Sequence, residues 1–312
     1  MEPSRLQPLD PEVQRMLDDL HATGAPSIAD STPEEVRTRI AASRESMPPG
    51  PSVAMVDDLE VPGPGGPIPV RRYRARPEPA EGAVLYFHGG GWVIGDIELS
   101  DALCRSLVRS SGCDLFSVNY RLAPEHRFPA AVEDADAALD WLLAEGAPNA
   151  KVVLVGDSAG GNLAAVLARH ARDREIASRL VLQVLVYPVT DHAMDTRSYG
   201  EHIEGLILNA PDMHWFWDHY EPDLERRTSP DASPLRAADL SGLPPAFIVV
   251  TEFEPLRDEV LAYARRLVDA GVEVTLDDYD GMIHGFFPLV GVLSAADRAA
   301  DTIGATIAAA VG

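Results

Sequence analysis

Apolar residues at the start of the chain fall at helical spacing. Val13, Met16, Leu17 and Leu20 lie on one side of a helix over 11–21. A second helix is predicted from Ser31-Thr32-Pro33-Glu34-Glu35, with Thr32 as N-cap, Pro33 as first helical residue and Glu35 reaching back to the cap. Pro48-Pro49-Gly50-Pro51 ends it. Residues 53–61 and 68–73 then read as two extended segments across a turn-rich 62–67, a candidate antiparallel hairpin. From about residue 80 short apolar runs alternate with helical stretches. The runs are 83–87, 115–119, 152–155, 182–187, 246–250 and 272–279, and helices fill 99–110, 130–145, 159–172, 256–270 and 292–310. With the hairpin this gives an α/β protein with a mostly parallel eight-stranded sheet and helices on both faces. Residues 191–240 break the rhythm: they contain no strand and carry Met213-His214-Trp215-Phe216-Trp217. The expected organisation is an N-terminal helical cap segment (1–50), an inserted cap segment (191–240), and a catalytic domain formed by 51–190 and 241–312. The cap would cover the carboxyl edge of the sheet, where open α/β sheets bind ligands.

Charge narrows the function. Among 312 residues, 26 basic and 49 acidic side chains leave a formal net charge of −23, while 46% of positions are apolar. Such a field repels phosphate backbones and anionic lipid, which argues against nucleic acid and membrane surfaces as partners. No apolar run is long enough to span a bilayer, and Met1–Asp10 is too polar for a secretory signal. The two cysteines, Cys104 and Cys113, make no disulfide framework and read as small buried residues. A reduced, cytoplasmic setting is the expectation.

Two glycine motifs follow predicted strands. Gly156-Asp157-Ser158-Ala159-Gly160-Gly161 comes after the strand ending at 155 and opens a helix. A serine between glycines at a strand-to-helix turn is a nucleophile elbow. The turn leaves no room for side chains at Gly156 and Gly160, and it lifts the Ser158 hydroxyl to a helix N-terminus, which favours developing negative charge. His88-Gly89-Gly90-Gly91-Trp92 follows the strand 83–87. Acyl transfer places negative charge on a carbonyl oxygen, which needs amides about 3 Å away. Gly90 and Gly91, with Gly89 as a third candidate, are expected to donate beside Ala159. A phosphate-binding loop is the rival, but the run lacks both a Walker ending and Gly-x-Gly-x-x-Gly spacing. His88 is read as a structural tie.

Serine needs a base that follows it in the chain. His284, between Gly281 and Gly285, follows the last predicted strand and fits. His21, His126, His170, His192, His202, His214 and His219 are read as ordinary surface or core residues, with His214 and His219 also candidates for a pocket wall. The acid that holds the imidazole tautomer must follow the strand 246–250. Glu254 is the choice, Asp258 and Glu252 are alternates, and Glu259 reads as a solvated surface acid. Trp92, Met213, Trp215, Phe216 and Trp217 are candidates for an apolar substrate pocket, with core packing the competing reading for the last four.

The chain resembles the bacterial hormone-sensitive-lipase-like carboxylesterases (family IV) of the α/β-hydrolase superfamily. The resemblance runs over His88–Asp96, Asn119-Tyr-Arg-Leu-Ala-Pro-Glu-His126, Phe128–Asp134, Gly156–Leu163, Tyr187-Pro188, Glu254-Pro-Leu-Arg-Asp-Glu259 and His284-Gly-Phe286. It implies an α/β-hydrolase fold with a two-part cap, and hydrolysis of short- to medium-chain acyl esters through an acyl-enzyme without cofactor or metal. It also implies a homodimer through the last strand and helix. One position departs: the family's usual aspartate before Pro-Leu-Arg-Asp is Glu254 here. Amide, carbamate or lactone hydrolysis on the same residues is the alternative reading. A non-catalytic binding protein on this scaffold is a further one, opposed by the presence of His284.

Overall fold

The computed structural model describes residues 8–174, 176–201 and 205–312; Met1–Gln7 of the N-terminal reading and His202 lie outside them. Two helices come first, α1 (Pro11–Ala22) and α2 (Pro33–Ser43). The start of α2 is the capping box expected: Glu35 N donates to Thr32 Oγ1 and Thr32 N donates to Glu35 Oε2. The strands β1 (Met55–Val61) and β2 (Ile68–Arg74) pair antiparallel, as the hairpin reading required.

Then follow β3 (Gly82–Phe87), α3 (Asp101–Ser111), β4 (Asp114–Val118), α4 (Ala130–Trp141), β5 (Lys151–Asp157), α5 (Ala159–Asp173) and β6 (Leu180–Val186). After three short or isolated helices, α6 (Arg197–Gly200), α7 (Ala210–Tyr220) and α8 (Leu224–Arg227), the alternation resumes with β7 (Ala246–Phe253), α9 (Arg257–Asp269), β8 (Val274–Ile283) and α10 (Ser294–Val311). The sheet has eight strands in the order β1-β2-β4-β3-β5-β6-β7-β8, antiparallel only where β2 meets β1 and β4. It is the expected mostly parallel sheet, with β3 and β5 at its centre.

Strand periodicity divides the core in two. On β5, Val152 and Leu154 face the layer that contains Leu163, Leu167 and Val260 of α5 and α9. Val153 and Val155 face the layer of Leu103, Leu107, Ile303 and Ile307 from α3 and α10. β7 repeats this, with Ile248 and Val250 in the first layer and Phe247 and Val249 in the second. Buried on both faces, these strands read as continuous apolar runs rather than alternating ones. Among the described residues of 191–240 there is no strand. α7 joins the N-terminal segment: Trp215 Nε1 donates to Ser31 O at 2.9 Å, and Ala29 N donates to Asp212 Oδ1 at 3.0 Å.

Leu154 is fully buried on the central strand. Leu154→Ala is expected to lower unfolding stability by about 3 kcal/mol, read as a shift in urea midpoint without a change in slope. A loss below about 1 kcal/mol would mean that this layer collapses around the void.

Candidate active site

Ser158 closes the crossing from β5 to α5 at φ 54° and ψ −118°. Its amide donates to Val186 O at 2.9 Å, and its carbonyl accepts from Asn162 N and Val189 N. The chain crosses itself so closely that a Cβ on Gly156 would lie 2.2 Å from Gly160 O, and one on Gly160 would lie 1.9 Å from Phe87 O. These contacts are the steric reason for glycine on both sides of the serine, as the pentapeptide implied.

Three side chains meet at this point. The Ser158 hydroxyl donates to His284 Nε2 at 2.9 Å, and His284 Nδ1 donates to Glu254 Oε2 at 2.7 Å. His284 is the first residue after β8 and Glu254 the first after β7, adjacent parallel strands whose carboxyl ends lie side by side. The other Glu254 oxygen accepts from Thr251 N at 3.1 Å, which fixes the longer carboxylate at both ends. All three residues are buried. The alternate acids have other partners. Glu252 accepts from Gly281 N, steadying the loop that carries His284. Asp258 accepts from Ser198 N on α6.

The glycine run makes a tight turn, with Gly90, Gly91 and Trp92 at φ 117°, 56° and 59°. Val93 N and Ile94 N both donate to Gly90 O. Among the described residues no protein acceptor takes the amides of Gly90, Gly91 or Ala159. Gly89 is different and corrects its place among the oxyanion donors: its amide donates to Asp157 Oδ1 at 3.1 Å. That carboxylate also accepts from Tyr86 Oη at 2.6 Å. Burial pushes Asp157 up to about 6, outweighing these hydrogen bonds. His88 is a structural tie as expected: Nδ1 donates to Gly89 O, the ring stacks on Tyr120 at 4.4 Å, and burial lowers its basicity.

Ser158 and His284 open into a cavity of about 190 Å3, walled by Ile207, Leu208, Met213, Phe216, Val189 and Pro288. Of the pocket candidates, Met213 and Phe216 line it. The rest are corrected. Trp92 is fully buried behind the glycine turn, stacked on Tyr220 at 4.1 Å and packed against Trp217 at 5.0 Å. Trp217 is likewise fully buried. Trp215 turns to Ser31, and His214 is exposed on the outer side of α7. His219 bonds to Trp215 O and is no part of the wall. A helix turns 100° per residue, so five consecutive large side chains cannot share one face.

Sequence reasoning missed two neighbours. The Tyr187 ring lies 4.5 Å from the His284 ring, and its hydroxyl accepts from Phe287 N at 3.1 Å, bracing the histidine loop. Tyr187-Pro188 stands among the motifs of the family resemblance, but neither that nor its place at a strand end marks the tyrosine as a neighbour of His284. Glu259, read as a surface acid, is 1% exposed. Its Oε1 accepts from Thr190 N at 2.7 Å and Asp191 N at 3.2 Å, and its Oε2 meets the Tyr199 hydroxyl at 3.2 Å. It joins α9 to the point where the chain leaves the sheet. Among the described residues no group of three or more His, Cys, Asp or Glu is placed to hold a metal ion.

Over residues 84–288 the sequence matches a family model described as the alpha/beta hydrolase fold. The chain belongs to that family. This α/β hydrolase is similar to the carboxylic ester hydrolase LipN of Mycobacterium tuberculosis, with 43% identity over 292 residues, 90% of this chain and 77% of that protein. An ethyl acetate hydrolase of Pseudomonas putida is 39% identical over 242 residues, 75% of this chain and 76% of that protein. The solved hyperthermophilic esterase of Pyrobaculum calidifontis superposes with a TM-score of 0.92 at 41% identity, covering 98% of this chain and all of that one. The family resemblance and the fold expected from the sequence are thus both met.

Burial raises the Glu259 carboxyl from an ordinary 4.5 to about 8 even though two amides lower it. Its folded pKa is raised, so the folded protein keeps this proton across an interval in which the unfolded chain has released it. Stability from this group therefore declines as pH rises from about 4.5 to about 8. Glu259→Gln, which keeps an acceptor for both amides, is expected to flatten the fall in Tm between about pH 5 and pH 8. A variant slope equal to that of the parent protein would contradict it.

Proposed function

We propose that this α/β hydrolase cleaves carboxylic esters of short- to medium-chain acids through an acyl-enzyme on Ser158. The observation that carries the reading is the unbroken hydrogen-bond chain Glu254–His284–Ser158 at the floor of an apolar cavity. His284 Nε2 accepts the serine proton as Oγ attacks the ester carbonyl. Glu254 keeps Nδ1 protonated and stabilises the imidazolium. The free amides of Gly90, Gly91 and Ala159 are aligned by a strained turn and a helix N-terminus to receive the oxyanion. The imidazolium then gives its proton to the leaving alcohol, and water attacks the acyl-enzyme by the same relay.

Apolar walls and small volume favour an uncharged acyl chain of limited length. Helices α1 and α2 with the 191–240 insertion are read as one cap that shields this cavity, supported by the Trp215–Ser31 and Ala29–Asp212 bonds. Two buried, unpaired cysteines, Cys104 and Cys113, suit a reducing cytoplasm. No helix among the described residues is long and apolar enough to cross a membrane. A homodimer stays a proposal carried by the family resemblance.

Ser158→Ala is expected to lower kcat on a p-nitrophenyl acyl ester by about 10⁴-fold or more with little change in KM, and Glu254→Ala by about 10³-fold. Full activity of purified Ser158→Ala would end the assignment. On a panel of esters graded in acyl length, kcat/KM should fall once the chain outgrows the cavity. A rate that climbs steadily with length would exclude the pocket reading.

A further inference from the structure

The oxyanion turn is held from outside by an arginine of the N-terminal segment. Arg37, on α2, donates from Nε to Val93 O at 2.8 Å and from Nη2 to Ala123 O at 2.6 Å. Its remaining edge makes two bonds to Glu125, at 2.7 and 2.8 Å, which fix the guanidinium plane. Ala123 in turn donates to Trp92 O at 2.9 Å. One side chain thus clamps the turn 90–94 to the loop around residue 123.

The consequence follows from peptide planarity. The carbonyl of Val93 and the amide of Ile94 belong to one rigid unit. Arg37 holds its oxygen, and its N–H donates to Gly90 O at 2.9 Å. The carbonyl of Gly90 and the amide of Gly91 are the next rigid unit. Fixing that oxygen from one side aims the Gly91 N–H the opposite way, and Gly91 lines the same cavity as Ser158. A charged donor at the start of such a chain also polarises each bond that follows. Trp92 gains most from this support, since it holds a positive φ that glycine, but not a bulky residue, adopts freely.

We propose that Arg37 is a positioning residue for the oxyanion hole, acting through the peptide units 93–94 and 90–91 on the Gly91 amide. The inference rests on the ester-hydrolase reading of the Ser158 site. It assigns the N-terminal helix a part in stabilising the transition state as well as in covering the pocket.

The test compares Arg37→Ala with Arg39→Ala, a neighbour on the same helix that among the described residues donates to Ser31 Oγ and not to the glycine turn. Turnover of a p-nitrophenyl ester is measured beside inhibition by a trifluoromethyl ketone. Ser158 Oγ adds reversibly to that ketone's carbonyl carbon, the serine proton passes to His284, and the carbonyl oxygen becomes an oxyanion on a carbon with no leaving group. Arg37→Ala is expected to lower kcat about tenfold with KM held within about threefold, and to weaken the inhibitor by about the same factor as kcat. Arg39→Ala should stay within about twofold of the parent rate.

An unchanged kcat in Arg37→Ala would overturn the proposal. So would a rise in KM alone, or an equal loss in Arg39→Ala, since either marks simple loosening of the helix. If Arg37→Ala does not fold, Arg37→Lys should exceed Arg37→Gln in kcat, because it keeps a charged donor; equal rates would overturn the proposal. Failure of the underlying reading looks different: Ser158→Ala would then match the parent protein whatever Arg37→Ala does.

Discussion

A serine held at φ 54° where β5 runs into α5 is the constraint from which the rest of the site follows. Such a backbone costs on the order of 1–3 kcal/mol and persists only when its surroundings fix it. Here Val186 takes the serine amide, Asn162 and Val189 take its carbonyl, and Gly156 and Gly160 pass within van der Waals range of each other. The energy comes from the double-sided core around β5 and its neighbours. In return the hydroxyl stands clear of the strand and the Ala159 amide lies next to it, free to donate. Histidine and acid then need only be placed at the ends of β8 and β7, which the parallel order of the sheet brings to the same edge.

The segment 252–259 shows how closely site and covering are joined. Four acids within eight residues take four different partners: the Gly281 amide, the His284 imidazole, the Ser198 amide and the 190–191 amides. Two of them orient the base, and two tie the insertion to the helix behind the acid. Across the pocket, the bonds from Arg37 to Val93 and Ala123 do the same for the glycine turn. Residues of α2 and of the stretch after β6 are thus bonded to the backbone that carries the site.

Much of this was legible in the sequence, because it depends on local pattern. Apolar runs buried on both faces identify parallel strands, and a serine between glycines at a strand end has few other uses. Chain order then selects His284 and the segment after 250. What was not legible depends on the phase and crossing of elements. Five large residues in a row on α7 carry no mark of which face meets the pocket, so the sequence groups His214, Trp215 and Trp217 with Met213, and nothing beside the glycine run shows that the Trp92 ring turns behind it. Glu259 looks like any helical acid until the 190–191 backbone crosses over it. Gly89 sits in the same run as Gly90, and only the approach of Asp157 shows that its amide is already taken. The exchange of aspartate for Glu254 was legible as a departure, but its accommodation by Thr251 N was not.

The central claim is that Ser158 becomes the covalent nucleophile. Incubation of the intact protein with a p-nitrophenyl alkylphosphonate, followed by mass spectrometry of peptides, tests it directly. The account predicts release of one nitrophenolate per chain and a phosphonyl adduct on the peptide containing Ser158, in step with loss of esterase activity. An adduct on another residue, or lasting ester turnover with Ser158 fully modified, would contradict it.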